Sequence, residues 1–123
     1  MLTYFQSTGR LERDGALLGT GYAGRGEGKN NPLLQNVANT GPLPRGFYTL
    51  SAPIDTVTHG PYVLWLTPDP GNDMFGRFGF GIHGDSVIHP GNASEGCIVI
   101  DYTARMGAWE DGETEQHRIE VME

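Results

Sequence analysis

Residues 78–105, FGFGIHGDSVIHPGNASEGCIVIDYTAR, decide how the rest of the chain is read. In residues 78–83 large apolar side chains alternate with glycine and then histidine, the period of a half-buried strand. Phe78, Phe80 and Ile82 are expected to face the core, leaving His83 on the other face beside positions that carry no side chain. Residues 84–93 are rich in Gly, Asp, Ser, Pro and Asn and read as a loop, despite Val87 and Ile88. Cys97, the only cysteine of the chain, then opens a second short apolar strand, Ile98, Val99 and Ile100. Two neighbouring strands joined by such a loop would set a thiol beside an imidazole.

That pair suggests a nucleophile and its base. A thiol with a resting pKa near ~8.5 can pass its proton to an imidazole and attack a carbonyl at neutral pH. The oxyanion that forms needs donors, and the backbone N–H groups around Gly96 and Cys97 are candidates, because glycine lets a substrate approach the main chain. Ser94 is placed to hydrogen-bond within the turn or to orient a partner, and a backbone carbonyl suffices to fix the tautomer of His83. A carboxylate beside the sulfur would disfavour the thiolate, so Asp85 and Glu95 are expected to point away from it. Two other readings stand beside this one. Cys97 by itself is equally a small buried hydrophobe. His83, Asp85, His89 and Cys97 also include the usual zinc ligand types and would make a hydrolytic metal site, although their spacing matches no common structural-zinc pattern. His59, His89 and His117 otherwise read as surface or loop histidines.

The stretch resembles the active-site motif of L,D-transpeptidases of the YkuD-like fold: a histidine–glycine pair, a loop, then Ser/Thr-x-Gly-Cys. It is more similar to the smaller branch found as type VI secretion L,D-transpeptidase effectors. That branch's pattern falls here on Ile82, His83 and Gly84, on Ser94, on residues 96–99 (GCIV) and on Arg105. The resemblance extends upstream through GYAGRGEGKNNP at 21–32 and GPLPRGFYTL at 41–50. It implies one mainly β domain over residues 1–123, a sandwich or barrel with one or two short helices. It also implies that Cys97 and His83 act on the peptide stems of bacterial peptidoglycan, with no cofactor. The outcome would be L,D-carboxypeptidase release, exchange or cross-linking. Where the common motif has a second histidine this chain has Glu95, and where it has a substrate-holding arginine it has Val99. Gly84, Arg105 and Arg77 are therefore the expected substrate contacts, with Arg105 equally readable as a helix-surface ion-pair partner. The family further implies delivery into a competitor's periplasm and an immunity protein in the producing cell.

Composition bounds these readings. A chain of 123 residues buries roughly two-thirds of its unfolded surface as one domain, and nineteen glycines with eight prolines favour short strands and turns. A net charge of −7 with Lys29 as the sole lysine argues against nucleic acid and anionic membrane as partners, since both reward clustered cations. One cysteine makes no internal disulfide. Residues 1–6 lack the basic and apolar pattern of a cleavable signal. The apolar run at residues 62–66 is far shorter than the ~20 residues of a membrane-spanning helix.

Along the chain, residues 2–6 and 10–13 read as strands, with a tight turn at Asp14 and Gly15 before a third. The glycines between 19 and 28 lack the Gly-Lys-Ser/Thr of a phosphate loop and read as a tight structural or substrate-lining loop. Asn31 and Pro32 fit the start of a helical turn through Val37. Residues 41–46 are extended by their prolines and feed a strand at 47–50. Residues 51–61 are expected as a loop holding His59, residues 62–66 as a strand, and residues 67–73 as a connection rimming the pocket. Asp101 is a good N-cap for a helix from Tyr102 to about Trp109, with Met106 and Trp109 towards the core. An acidic stretch (Glu110, Asp111, Glu113, Glu115) then leads to a closing strand at 117–122. A cell-wall binding module using Tyr22, Tyr62 and Trp65 is the non-enzymatic alternative; it would tolerate Cys97→Ala.

Overall fold

A computed structural model describes residues 1–110 and 115–123; Asp111 and Glu113 of the acidic stretch lie outside the described residues. The strands are β1 (Leu2–Phe5), β2 (Arg10–Arg13), β3 (Ala16–Thr20), β4 (Tyr22–Ala23), β5 (Gly46–Leu50), β6 (Ile54–Thr56), β7 (Gly60–Pro68), β8 (Gly81–His83), β9 (Ile98–Val99) and β10 (Arg118–Met122). One helix among the described residues, α1 (Tyr102–Glu110), joins them. The fold is mainly β, as expected. The strands pair in the order β3-β2-β1-β10-β5-β7-β8-β9-β4, with β6 added to β7. Among the described residues no helix is long and apolar enough to cross a membrane.

Alternation builds the core. Leu2 and Tyr4 of β1, Leu11 of β2 and Ile119 and Val121 of β10 are buried, while their neighbours along each strand are not, so each strand turns one face inward. β10 lies between β1, to which it is parallel, and β5, to which it is antiparallel. The end of the chain is thereby stitched to its beginning. The two edges of the strand order, β3 and β4, are consecutive in sequence and separated only by Gly21, so the sheet has to curl back on itself. Gly21 makes that closure possible: its N–H donates to the Gly9 carbonyl at 2.8 Å, and a Cβ there would sit 1.9 Å from the Val99 carbonyl oxygen.

Local signals account for the connections. Asn31 accepts from the Leu33 N–H at 3.1 Å and starts a single 3-10 turn, Pro32–Leu34, shorter than the turn expected through Val37. Asp101 caps α1 by accepting from Ala104 N–H at 2.8 Å, and the helix turns Ala104, Arg105 and Ala108 inward against β3 and β7. Trp109 packs on the edge of the core, while Met106 is half-buried.

Three expectations need correction. Residues 78–80 are not strand: Gly79 takes φ +80°, the alternation breaks, and Phe78 is 88 % exposed while Phe80 and Ile82 remain buried. Residues 51–61 are not only loop, because β6 forms a hairpin with β7 and carries His59 at its turn. The glycine-rich stretch contains β4 and a 3-10 turn, Gly26–Gly28, pieces too short to leave a periodicity in the sequence.

Candidate active site

β8 and β9 are parallel neighbours, Ile82 opposite Ile98 and His83 opposite Val99. Extending that register back one residue sets Cys97 beside Gly81. Side chains two apart share a face, so thiol and imidazole rise from the same side of the sheet. Both line one cavity of about 650 Å³, walled also by Arg25, His59, Phe80, Gly84 and Glu95. Ile82 and Ile98, on the opposite face, are buried in the core and fix the two strands below the site.

His83 is only 4 % exposed, not on an open face as expected, but its ring reaches the cavity wall. Its Nδ1 lies 2.8 Å from the Gly84 carbonyl oxygen. A carbonyl can only accept, so Nδ1 carries the proton and Nε2 keeps its lone pair, the form a base requires. Burial lowers the pKa of His83, with His59 and Arg105 acting in the same direction, and the Gly84 carbonyl and Asp85 opposing them. Burial raises the thiol of Cys97, helped by Glu95; the N–H groups of Gly81 and Cys97 and the Arg77 guanidinium pull the other way. Both shifts favour a neutral thiol and a neutral imidazole at rest. The thiol's proton is accordingly directed to the Gly79 carbonyl oxygen, 3.8 Å away, rather than to the ring.

The imidazole shift has a consequence for stability. A histidine harder to protonate when folded than when unfolded binds fewer protons in the native state. Its contribution is fully present above its ordinary value of 6.5 and is lost as pH falls through the lower folded value. The carboxylates with lowered values, Asp69 and Asp85 among them, act only in more acid solution. The urea midpoint is therefore expected to fall between about pH 7 and about pH 5, and to fall less in His83→Gln; equal slopes for the two proteins would contradict the assignment.

Ser94 and Gly96 shape the thiol's loop. The buried Ser94 hydroxyl accepts from Gly24 N–H at 2.8 Å and Gly96 N–H at 3.0 Å, and donates to the Cys97 carbonyl at 2.6 Å. The Gly96 N–H, expected to face an oxyanion, is thus already committed inside the loop. Gly96 has φ +141°, and a Cβ there would lie 2.6 Å from both Phe80 Cε1 and Arg77 Nη2, so the loop needs glycine. Asp85 is drawn away from the sulfur, as expected: it accepts from Tyr22 hydroxyl at 2.6 Å, Ser86 N–H at 2.8 Å and Gly91 N–H at 3.0 Å. Glu95, by contrast, stays on the cavity wall 3.7 Å from Arg25, where its charge helps to raise the thiol.

The two arginines expected to hold substrate are turned into the protein. Arg77 donates to the carbonyls of Gln35, Gly41, Pro42 and Glu95. Arg105 donates to those of Pro61, Tyr62 and Ile100 and packs under Gly84. Each is almost fully buried and neither is on the cavity wall. Among the described residues, Arg25 is the one arginine or lysine lining the cavity. The zinc quartet is not gathered: among the described residues no three His, Cys, Asp or Glu side chains converge. His59, read as a loop histidine, lies instead on the cavity wall against His83, their ring centroids 4.9 Å apart. The only sequence cue was its nearness to the strand at 62–66.

Comparison with known proteins adds one match. A family model described as the Tlde1 domain covers residues 19–123, a span that includes every residue of the cavity wall. No curated protein and no solved structure matches the chain.

Proposed function

The chain belongs to the Tlde1 domain family, the type VI secretion L,D-transpeptidase effectors, and from that membership we propose that it is a cysteine acyltransferase acting on peptidoglycan peptide stems. One observation carries the reading: His83 at the end of β8 and Cys97 just before the adjacent parallel strand β9 open on the same cavity, with the imidazole held by a carbonyl in the tautomer of a base. The Cys97 thiol rotates from the Gly79 carbonyl to His83 Nε2 and gives up its proton as sulfur attacks the amide carbonyl carbon on the L-centre of the diamino acid. With both groups neutral at rest, proton transfer accompanies attack rather than preceding it. The C–N bond breaks, the imidazolium returns its proton to the leaving D-amino acid, and the stem remains as a thioester on Cys97. Water, a free D-amino acid or the amine of another stem then attacks, His83 again accepting the proton and returning it to the sulfur.

The N–H groups of Gly81 and Cys97, directed at the sulfur, are the donors nearest to the developing oxyanion. Arg25, on the cavity wall and 3.7 Å from Glu95, is the cation that would exchange that contact for the substrate's terminal carboxylate. Family membership supports delivery into a target cell. Action in that cell's periplasm and protection of the producer by an immunity protein are part of the same proposal.

Incubation with purified peptidoglycan, followed by mass analysis of the muropeptides, tests the reading. Loss of one terminal residue identifies carboxypeptidase action, replacement of that residue identifies exchange, and joined stems identify cross-linking. Unchanged tetrapeptide stems would refute it.

A further inference from the structure

Resting on this reading, we propose that His59 is a positioning residue that fixes His83 as the acceptor of the thiol proton. His59 sits at the turn between β6 and β7, outside the motif at 78–105. Thr56 Oγ1 accepts from its backbone N–H at 2.8 Å, and Thr58 Oγ1 lies 2.8 Å from its Nδ1. These two contacts fix the turn and the ring. The ring is then wedged between two others, edge-on to Trp65 with centroids 5.3 Å apart and edge-on to His83 at 4.9 Å. Trp65 is itself held on β7, opposite Gly81 of β8, where a Cβ would lie 2.7 Å from the indole. Gly81 therefore admits the indole that backs His59.

Two imidazoles at this separation repel one another when both are protonated. Every group facing His83 bears on which of them holds the proton. Arg105, from α1, adds positive charge, Asp85 opposes it from the following loop, the Gly84 carbonyl takes the Nδ1 proton, and the neutral Cys97 thiol opens on the same cavity. His59 is the more open of the two rings and is backed by the Trp65 indole. Positive charge at His59 disfavours a proton on His83, which keeps His83 neutral and ready for the thiol. At the same time the wedged ring blocks His83 from swinging off the Gly84 carbonyl.

The test compares wild type with His59→Phe, which keeps the aromatic packing and removes the charge, and with His59→Gln, which removes the ring. Side-chain nuclear magnetic resonance titration follows His83 in each protein, and the pH profile of kcat/KM is measured alongside. In His59→Phe the His83 midpoint is expected to rise by roughly half a pH unit, the effect of a like charge about 5 Å away at the dielectric of water. The acid limb of kcat/KM moves with it. In His59→Gln kcat falls further while KM holds. Unchanged His83 midpoints in both folded variants overturn the proposal, whether or not the protein acts on peptidoglycan. A shifted midpoint in a protein inactive on stems supports the coupling and removes only the substrate reading.

Discussion

Cys97→Ala is expected to reduce turnover of a soluble stem peptide to background, and His83→Ala to reduce it at least ~100-fold, the lower end of a general-base contribution. The two losses arise differently. In the proposed reaction alanine at 97 removes the atom that forms the acyl bond, and because Cys97 is only partly buried, in a loop braced by Ser94, the fold is expected to survive its removal. Alanine at 83 leaves the thiol without its acceptor and the Gly84 carbonyl without its donor. The thiol, raised by burial, then forms little thiolate at neutral pH, so activity in His83→Ala should recover as the solution is made more alkaline, whereas Cys97→Ala should not recover at any pH. Parallel progress curves for either variant and wild type would remove that residue from the mechanism. A cell-wall binding module would lose nothing in either variant.

Arg77→Met is expected to destabilise the protein by about 3 kcal/mol or more, the cost of leaving several buried acceptors without a partner. That is a large part of the 5–15 kcal/mol typical of a domain. Methionine fills much of the same volume, so the loss reports the hydrogen bonds rather than a cavity. The four carbonyls that Arg77 gathers come from two segments, residues 35–42 and the thiol's loop at Glu95. The guanidinium is the pin that holds the second against the first, and it stacks over Phe80 with 5.0 Å to the ring centroid. Urea unfolding measures the effect. A substrate anchor would behave in the opposite way, with an unchanged unfolding midpoint and a raised KM.

These two arginines also mark where the sequence stopped being informative. The identity of a guanidinium does not say whether its five donors will meet a ligand or the protein's own carbonyls; for both arginines that depends largely on segments distant in sequence, residues 35–42 for Arg77 and 61–62 for Arg105, arriving beside it. Arg105 and Arg77 were legible as functional cations and not as braces for this reason. His59 was missed on the same ground, since its contact with His83 exists only because the β6–β7 hairpin pairs onto β8. By contrast, features set by local chemistry were readable directly: the turn at Asp14 and Gly15, the Asn31 and Asp101 caps, and the strand pair carrying His83 and Cys97. The alternation at residues 78–83 was half right, because a glycine with positive φ interrupts a pattern that the apolar residues continue. β4, two residues long, is too short to show a period and owes its existence to the pairing with β9 that closes the sheet.

The thioester on Cys97 is the point on which the account turns, and mass spectrometry of protein quenched in acid during turnover of a soluble stem peptide tests it most directly. The expected result is an adduct with the mass of the truncated stem, confined to the peptide that contains Cys97 and released by hydroxylamine. An adduct on any other residue, or product formed at the full rate by protein whose Cys97 has first been alkylated, would contradict it.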